Sequence, residues 1–146
     1  YQGGIIAYID STGQHGLIVA TADQSEGIQW YNGSYIVTGA TGTAIGTGLT
    51  NTNAIIAAQG SGSYAASIAR DYNGGGYTDW FLPSKDELNQ LYVNRAAIGG
   101  FETNDYYWSS TETGVNLAWS QDFIVVGSQS SLNKYYAYSV RAVRAF

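Results

Sequence analysis

The chain contains no cysteine. That excludes a disulfide, a thiol nucleophile and a thiolate metal site. It has a single histidine, His15, in the turn-forming segment Ser11-Thr12-Gly13-Gln14-His15-Gly16. With no second histidine and no cysteine to share a metal, His15 reads as a turn residue rather than a ligand or a general base. Charge is also scarce: Asp, Glu, Lys and Arg make up 12% of the residues, against roughly 25% in an ordinary soluble domain. Six basic residues face eleven acidic ones, for a net charge of −5. That balance argues against broad nucleic-acid binding, which needs a basic field. No run of 18 apolar residues occurs, so membrane insertion is not expected. No export signal is visible either, and the abrupt start at Tyr1-Gln2-Gly3-Gly4 reads as an excised domain whose signal, stalk or anchor lies upstream.

What is present is tyrosine, glycine and hydroxyl groups. Thirteen tyrosines and nineteen glycines accompany a 45% hydrophobic content. The 146 residues suit one domain, 1–146, able to bury roughly two-thirds of its unfolded surface. A neutral surface of Tyr, Ser, Thr and Asn suits an extracellular protein, secreted or displayed on a cell.

Along the chain, Gly4–Asp10 and Leu17–Ala22 are β-rich and flank the His15 turn, predicting an N-terminal hairpin. Residues 23–50 read as long loops around Trp30 and Tyr31. Asn51 or Thr52 is expected to cap a short helix over Ala54–Gln59. Tyr64, Ala65, Ile68, Ala69 and Tyr72 have helical spacing, and Asn73-Gly74-Gly75-Gly76 stops them. Ser84 and Glu87 form a capping box directly after Pro83, the one proline, with Leu88, Leu91 and Tyr92 as the buried stripe of the helix they open. Strands are expected over Tyr106–Thr111, Leu117–Val126 and Lys134–Phe146, with 127–133 as a connection. Strands segregated from helices define an α+β domain. If the last strand pairs with the first, the termini meet.

Several separated motifs carry a resemblance: Thr78-Asp79-Trp80-Phe81-Leu82-Pro83-Ser84-Lys85-Asp86-Glu87-Leu88, then Tyr107-Trp108-Ser109-Ser110-Thr111-Glu112, Ala118-Trp119, Asp122-Phe123 and Val140-Arg141-Ala142-Val143-Arg144. In this order they resemble the C-type-lectin-like C-terminal domains of bacterial collagen-like adhesins, over essentially the whole chain. The resemblance implies a C-type-lectin-like fold with an N-terminal hairpin, two to three short helices and a C-terminal β-meander. It implies a homotrimer displayed at the bacterial surface or secreted. It also implies binding to sulfated glycosaminoglycans or other anionic polysaccharides. The Glu-Pro-Asn and Trp-Asn-Asp motifs of calcium-dependent lectins are missing, so no metal and no cofactor is expected. The related formylglycine-generating enzymes use cysteine, which this chain lacks, so it is read as no enzyme.

A sulfated ligand needs cations. Lys134, Arg95, Lys85 and Arg70 are the expected contacts, with Tyr136 beside Lys134. Arg141 and Arg144 lie three apart on a strand and so face opposite sides, one of them tied to a buried acid. Trp80, Trp108 and Trp119 sit in apolar strand-like segments and read as core. Trp30, in the irregular region, is the tryptophan expected to meet a ligand. Glu112 and Asp122 read as exposed acids or as partners of Arg141 or Arg144. Two other roles stand beside the adhesin head. One is a protein-binding display module using the Tyr/Ser/Asn surface, and the other is a structural cap on a trimeric stalk.

Overall fold

In the computed structural model, which describes residues Tyr1–Phe146, the strands are β1 (Ile5–Ile9), β2 (Gly16–Val19), β3 (Ser25–Ile28), β4 (Tyr106–Glu112), β5 (Leu117–Asp122), β6 (Gln129–Asn133), β7 (Tyr138–Val140) and β8 (Val143–Ala145). The helices are α1 (Gly48–Gln59), α2 (Ala65–Asp71), α3 (Lys85–Val93) and α4 (Arg95–Ile98). The α+β class expected from the sequence holds.

β1 and β2 form the expected antiparallel hairpin, with Ile5 opposite Val19 and Ile9 opposite Gly16. The Asp10 amide donates to the His15 carbonyl at 2.8 Å and closes the turn. Gly16 has a steric reason: a Cβ there would lie 2.1 Å from the Tyr8 carbonyl oxygen. β8 pairs with the other side of β2, Leu17 opposite Ala145, giving the order β1-β2-β8. The termini therefore meet, through β2 rather than β1, and the Tyr1 ring stands edge-on to Phe146 at 5.9 Å. Every β2 residue is buried, because this central strand serves a core on each face. Ile18 joins a cluster with Trp30, Ile55, Trp80, Leu82 and Trp108. Leu17 and Val19 join Phe81, Leu88, Leu91, Tyr107 and Phe123.

The second sheet has the order β3-β7-β4-β5-β6. Its β4–β7 pair is parallel, and the other pairs are antiparallel. Four boundaries differ from expectation. The 23–50 region contains β3 and the first three residues of α1. The 127–133 stretch, expected as a connection, carries β6, because five registered pairs with β5 supply what Ser and Gln propensities do not. β5 stops at Asp122 instead of running to Val126, since the Asp122 carboxylate turns back to accept the Ile124 amide. The expected last strand is two strands in two sheets, divided where the Arg141 guanidinium donates to the Ala20 carbonyl at 3.1 Å.

α1 begins at Gly48, and Asn51 and Thr52 lie buried inside it instead of capping it. Asn51 holds the 42 loop, its amide donating to the Gly42 carbonyl at 2.7 Å. Thr52 Oγ1 accepts the Leu82 amide at 3.1 Å. The capping box of α3 forms as expected: Ser84 Oγ accepts the Glu87 amide at 3.3 Å, and Glu87 Oε2 accepts the Ser84 amide at 2.7 Å.

Candidate ligand-binding surface

Half of the cations are spent inside the molecule. Lys134 is 1% exposed and its Nζ lies 2.5 Å from Glu112 Oε1. It also donates to the carbonyls of Ile36 at 3.1 Å and Val115 at 2.9 Å. The Glu112 carboxylate, itself buried, accepts the amides of Thr38 and Gly39 at 3.0 and 3.2 Å. A carboxylate taken out of water demands a counter-charge. That demand draws Lys134 inward and corrects its assignment as an exposed contact. Trp30 is corrected likewise. It is fully buried, its Nε1 donates to the Ser109 carbonyl at 2.9 Å, and the Lys134 ammonium lies 4.6 Å from its ring centroid. Burial pushes the Lys134 ammonium below its ordinary value, against the pull of Glu112.

Arg141 pairs with the half-buried Asp23, and Arg144 grips Asp79 through two hydrogen bonds at 2.7 and 2.8 Å. The two arginines thus face different partners, as their spacing predicts, and neither takes Glu112 or Asp122. Burial raises the Asp23 carboxyl, opposed by hydrogen bonds from Tyr107 and Arg141. Burial and the Asp23 carboxylate both push the Tyr107 phenol up.

The cations without an acidic partner are Arg70, Lys85 and Arg95. Positions 85, 89 and 92 recur at i, i+4 and i+7 and share one face of α3. Lys85 Nζ lies 4.2 Å over the Trp119 ring, and the Arg95 guanidinium lies 3.8 Å over Tyr92. Seven residues of α3 set Lys85 and Tyr92 about 10 Å apart along the axis, and Arg95, on α4 beyond the break at Asn94, reaches back over the Tyr92 ring. Asn89 between them accepts the Gln121 side chain at 2.8 Å, and Gln129 donates to the Lys85 carbonyl at 2.7 Å. These bonds seat α3 against the β5–β6 ribbon. On that ribbon Trp119 is half-buried and opposite Ser131, whose hydroxyl meets that of Thr113. The result is a strip with a cation over an aromatic ring at each end and amides and hydroxyls between. Arg70 lies apart on α2, tied to the Trp80 carbonyl at 3.3 Å and to Asn53 Oδ1 at 2.5 Å.

Trp80 and Trp108 are core, as read from the sequence. Trp119, read the same way, reaches the surface. Its signal was the alternation within β5: Ala118 and Ser120 face the interior, and Leu117, Trp119 and Gln121 share the other side.

A second surface is built of tyrosine. Tyr136 is exposed, as expected, and packs against Tyr135 at 4.5 Å and Tyr138 at 5.7 Å between ring centroids. Tyr35 packs on Tyr31 at 5.0 Å and donates to Asn133 at 2.8 Å. The buried Lys134 lies directly before this turn, and its carbonyl accepts the Trp30 amide at 2.9 Å. Burial, then repulsion from Tyr136, pushes the Tyr138 phenol up to about 12.

This architecture is that of an α+β domain whose two ends meet. Residues 19–144 match the Lcl C-terminal domain family model, and the chain belongs to that family. A fimbrial protein from Bacteroides ovatus ATCC 8483, solved by crystallography, has a similar fold at a TM-score of 0.58 and 14% identity. The likeness covers 88% of this chain and 35% of that one, so the chain spans about a third of the neighbour's length, and at that identity the likeness concerns the fold alone. No curated protein matches the chain. Family membership marks an adhesin-like module of a surface or secreted protein. No helix is long and apolar enough to cross a membrane.

Proposed function

We propose that this domain is the head of a homotrimeric surface adhesin that binds sulfated glycosaminoglycans or other anionic polysaccharides along the α3–β5–β6 strip. The observation that carries this is the placement of Lys85 and Arg95. They are acid-free cations, Lys85 on α3 and Arg95 on α4, each held over an aromatic ring, and the Tyr92 ring under Arg95 shares a face of α3 with Lys85. A net charge of −5 does not forbid such binding, because the screening length at physiological salt is about 8 Å. Each cation acts within its own neighbourhood, and the spacing of about 10 Å between Lys85 and the Tyr92 ring that carries Arg95 lets one polymer reach both. Two cations per protomer make a weak site. A trimer on one chain of polymer lifts it by about 100-fold or more through effective concentration. The meeting of the two chain ends supports display at the tip of a stalk.

The test is retention on immobilised heparin in a salt gradient, after sizing by light scattering. A species of three times the 15.6 kDa chain mass, retained at low salt and lost in the double variant Lys85→Ala/Arg95→Ala, is the expected result. Retention unchanged in that variant overturns the strip as the site. The exposed tyrosines support a second reading, a protein-binding module, because aromatic side chains with few torsions recognise proteins at low entropic cost. Tyr135→Ala/Tyr136→Ala distinguishes the two. It leaves heparin retention intact under the first and abolishes capture of a protein partner under the second.

A further inference from the structure

A cavity of about 310 Å³ opens beside the chain ends, between the β1-β2-β8 sheet and the loop leading into α1. Its volume falls in the range of small-molecule sites, which run to a few hundred Å³ with mostly apolar walls and a few placed polar groups. Three aromatic rings line it, Tyr8, Phe81 and Phe146, together with Asp10, Glu87 and His15, and no lysine or arginine does. Lys85, on the same helix as Glu87, is two residues away and so turned from it.

The two carboxylates are held by the fold. Glu87 is fully buried, and its Oε1 accepts the Gly46 amide at 2.8 Å. Asp10 Oδ1 accepts the Thr12 amide at 3.0 Å and hydroxyl at 2.6 Å, which leaves Oδ2 free of hydrogen bonds. The Thr12 hydroxyl bond, foremost, holds the Asp10 carboxyl below the usual carboxylate range, so it is anionic at neutral pH. Aromatic faces present negative potential and attract cations within about 6 Å of the ring. A ring-walled cleft with the anionic Asp10 at its rim and no competing lysine or arginine selects a compact positive group with an apolar body.

From this combination we infer that the cavity is a binding site for an alkylammonium group, with the aromatic rings around the cation's carbon shell and Asp10 as its counter-charge. This site is separate from the α3–β5–β6 strip, takes ligand of the opposite charge, and stands whether or not the strip binds polyanions.

His15, the one histidine, lines the cavity, so its ring protons give a single resolved NMR reporter. The protein is titrated at constant ionic strength with tetramethylammonium, with n-butylammonium and with tert-butanol as the uncharged isostere of the first. The expected result is saturable shifts of the His15 resonances with at least one ammonium, at an affinity at least tenfold above that for tert-butanol. The stronger of the two ammonium probes then tells a quaternary from a primary ligand. Asp10→Asn, at a solvent-reached turn, is expected to weaken binding about tenfold, and Leu49→Trp, on an exposed wall of the cavity, to abolish it by filling the space. Equal affinity for the alcohol overturns the assignment of charge. So does an Asp10→Asn variant that binds as tightly as the parent. Absence of any saturable shift overturns the site itself.

Discussion

Lys134 stands beside Tyr135 and Tyr136 in sequence and looks like part of a contact surface. Its partner Glu112 is 22 positions away and shows no local sign of burial. Charged side chains are almost never fully buried unless paired, so the two must be assigned together. The expected consequence of Lys134→Met is a loss of about 3–5 kcal/mol, because the Glu112 carboxylate is left buried without a counter-charge. Lys134→Met/Glu112→Gln is expected to recover a large part of that, and urea melts of the three proteins measure it. A second residue-scale prediction concerns pH. The Arg144 hydrogen bond holds Asp79 below its ordinary 3.8. The unfolded chain then takes up a proton before the folded one does, so stability rises with pH through this window. The contribution is present above 3.8 and is lost as pH falls through the lower folded value. Asp79 is half exposed, which screens the effect. Asp79→Asn is expected to flatten the acid limb of stability followed by circular dichroism.

At the scale of elements, α3 is the segment whose sequence and structure agree best. Its cap, its first-turn acids and its Leu88 and Leu91 stripe are all local, and all occur where the residues place them. The same helix divides its chemistry between two sides, Lys85 toward Trp119 and Glu87 toward the loop before α1. Ser84→Ala is expected to cost about 1 kcal/mol as a lost cap. It should also speed hydrogen exchange at Gly46, whose amide rests on Glu87. β6 and the start of α1 were not legible because their residues are poor formers of the structure they adopt. β6 depends on its five pairs with β5, and α1 on the tertiary bonds of Asn51 and Thr52. Such stability comes from packing and long-range bonding rather than local preference.

For the whole molecule, the count of available cations governs how it meets a polyanion. Six basic residues become three once the ion pairs form. Retention by heparin is therefore expected to be salt-fragile. Raising salt from about 0.1 M to about 1 M shortens the screening length from about 10 Å to about 3 Å, and elution is expected well before the upper value. A chelator is expected to change nothing, because no three His, Asp or Glu side chains converge on a metal-sized point. Retention that a chelator abolishes would replace the ionic strip with a cation-bridged site.

The sequence by itself determined the features that depend on neighbours in the chain. These include the absence of thiol chemistry, the N-terminal hairpin, the capping box at Ser84 and the α+β order of elements. Only the tertiary structure decided which cations face solvent. Lys134, Arg141 and Arg144 are neutralised by acids 22, 118 and 65 residues distant. Charge is cheap to place along a chain and costly to bury, and the partner that makes burial tolerable is chosen by the fold.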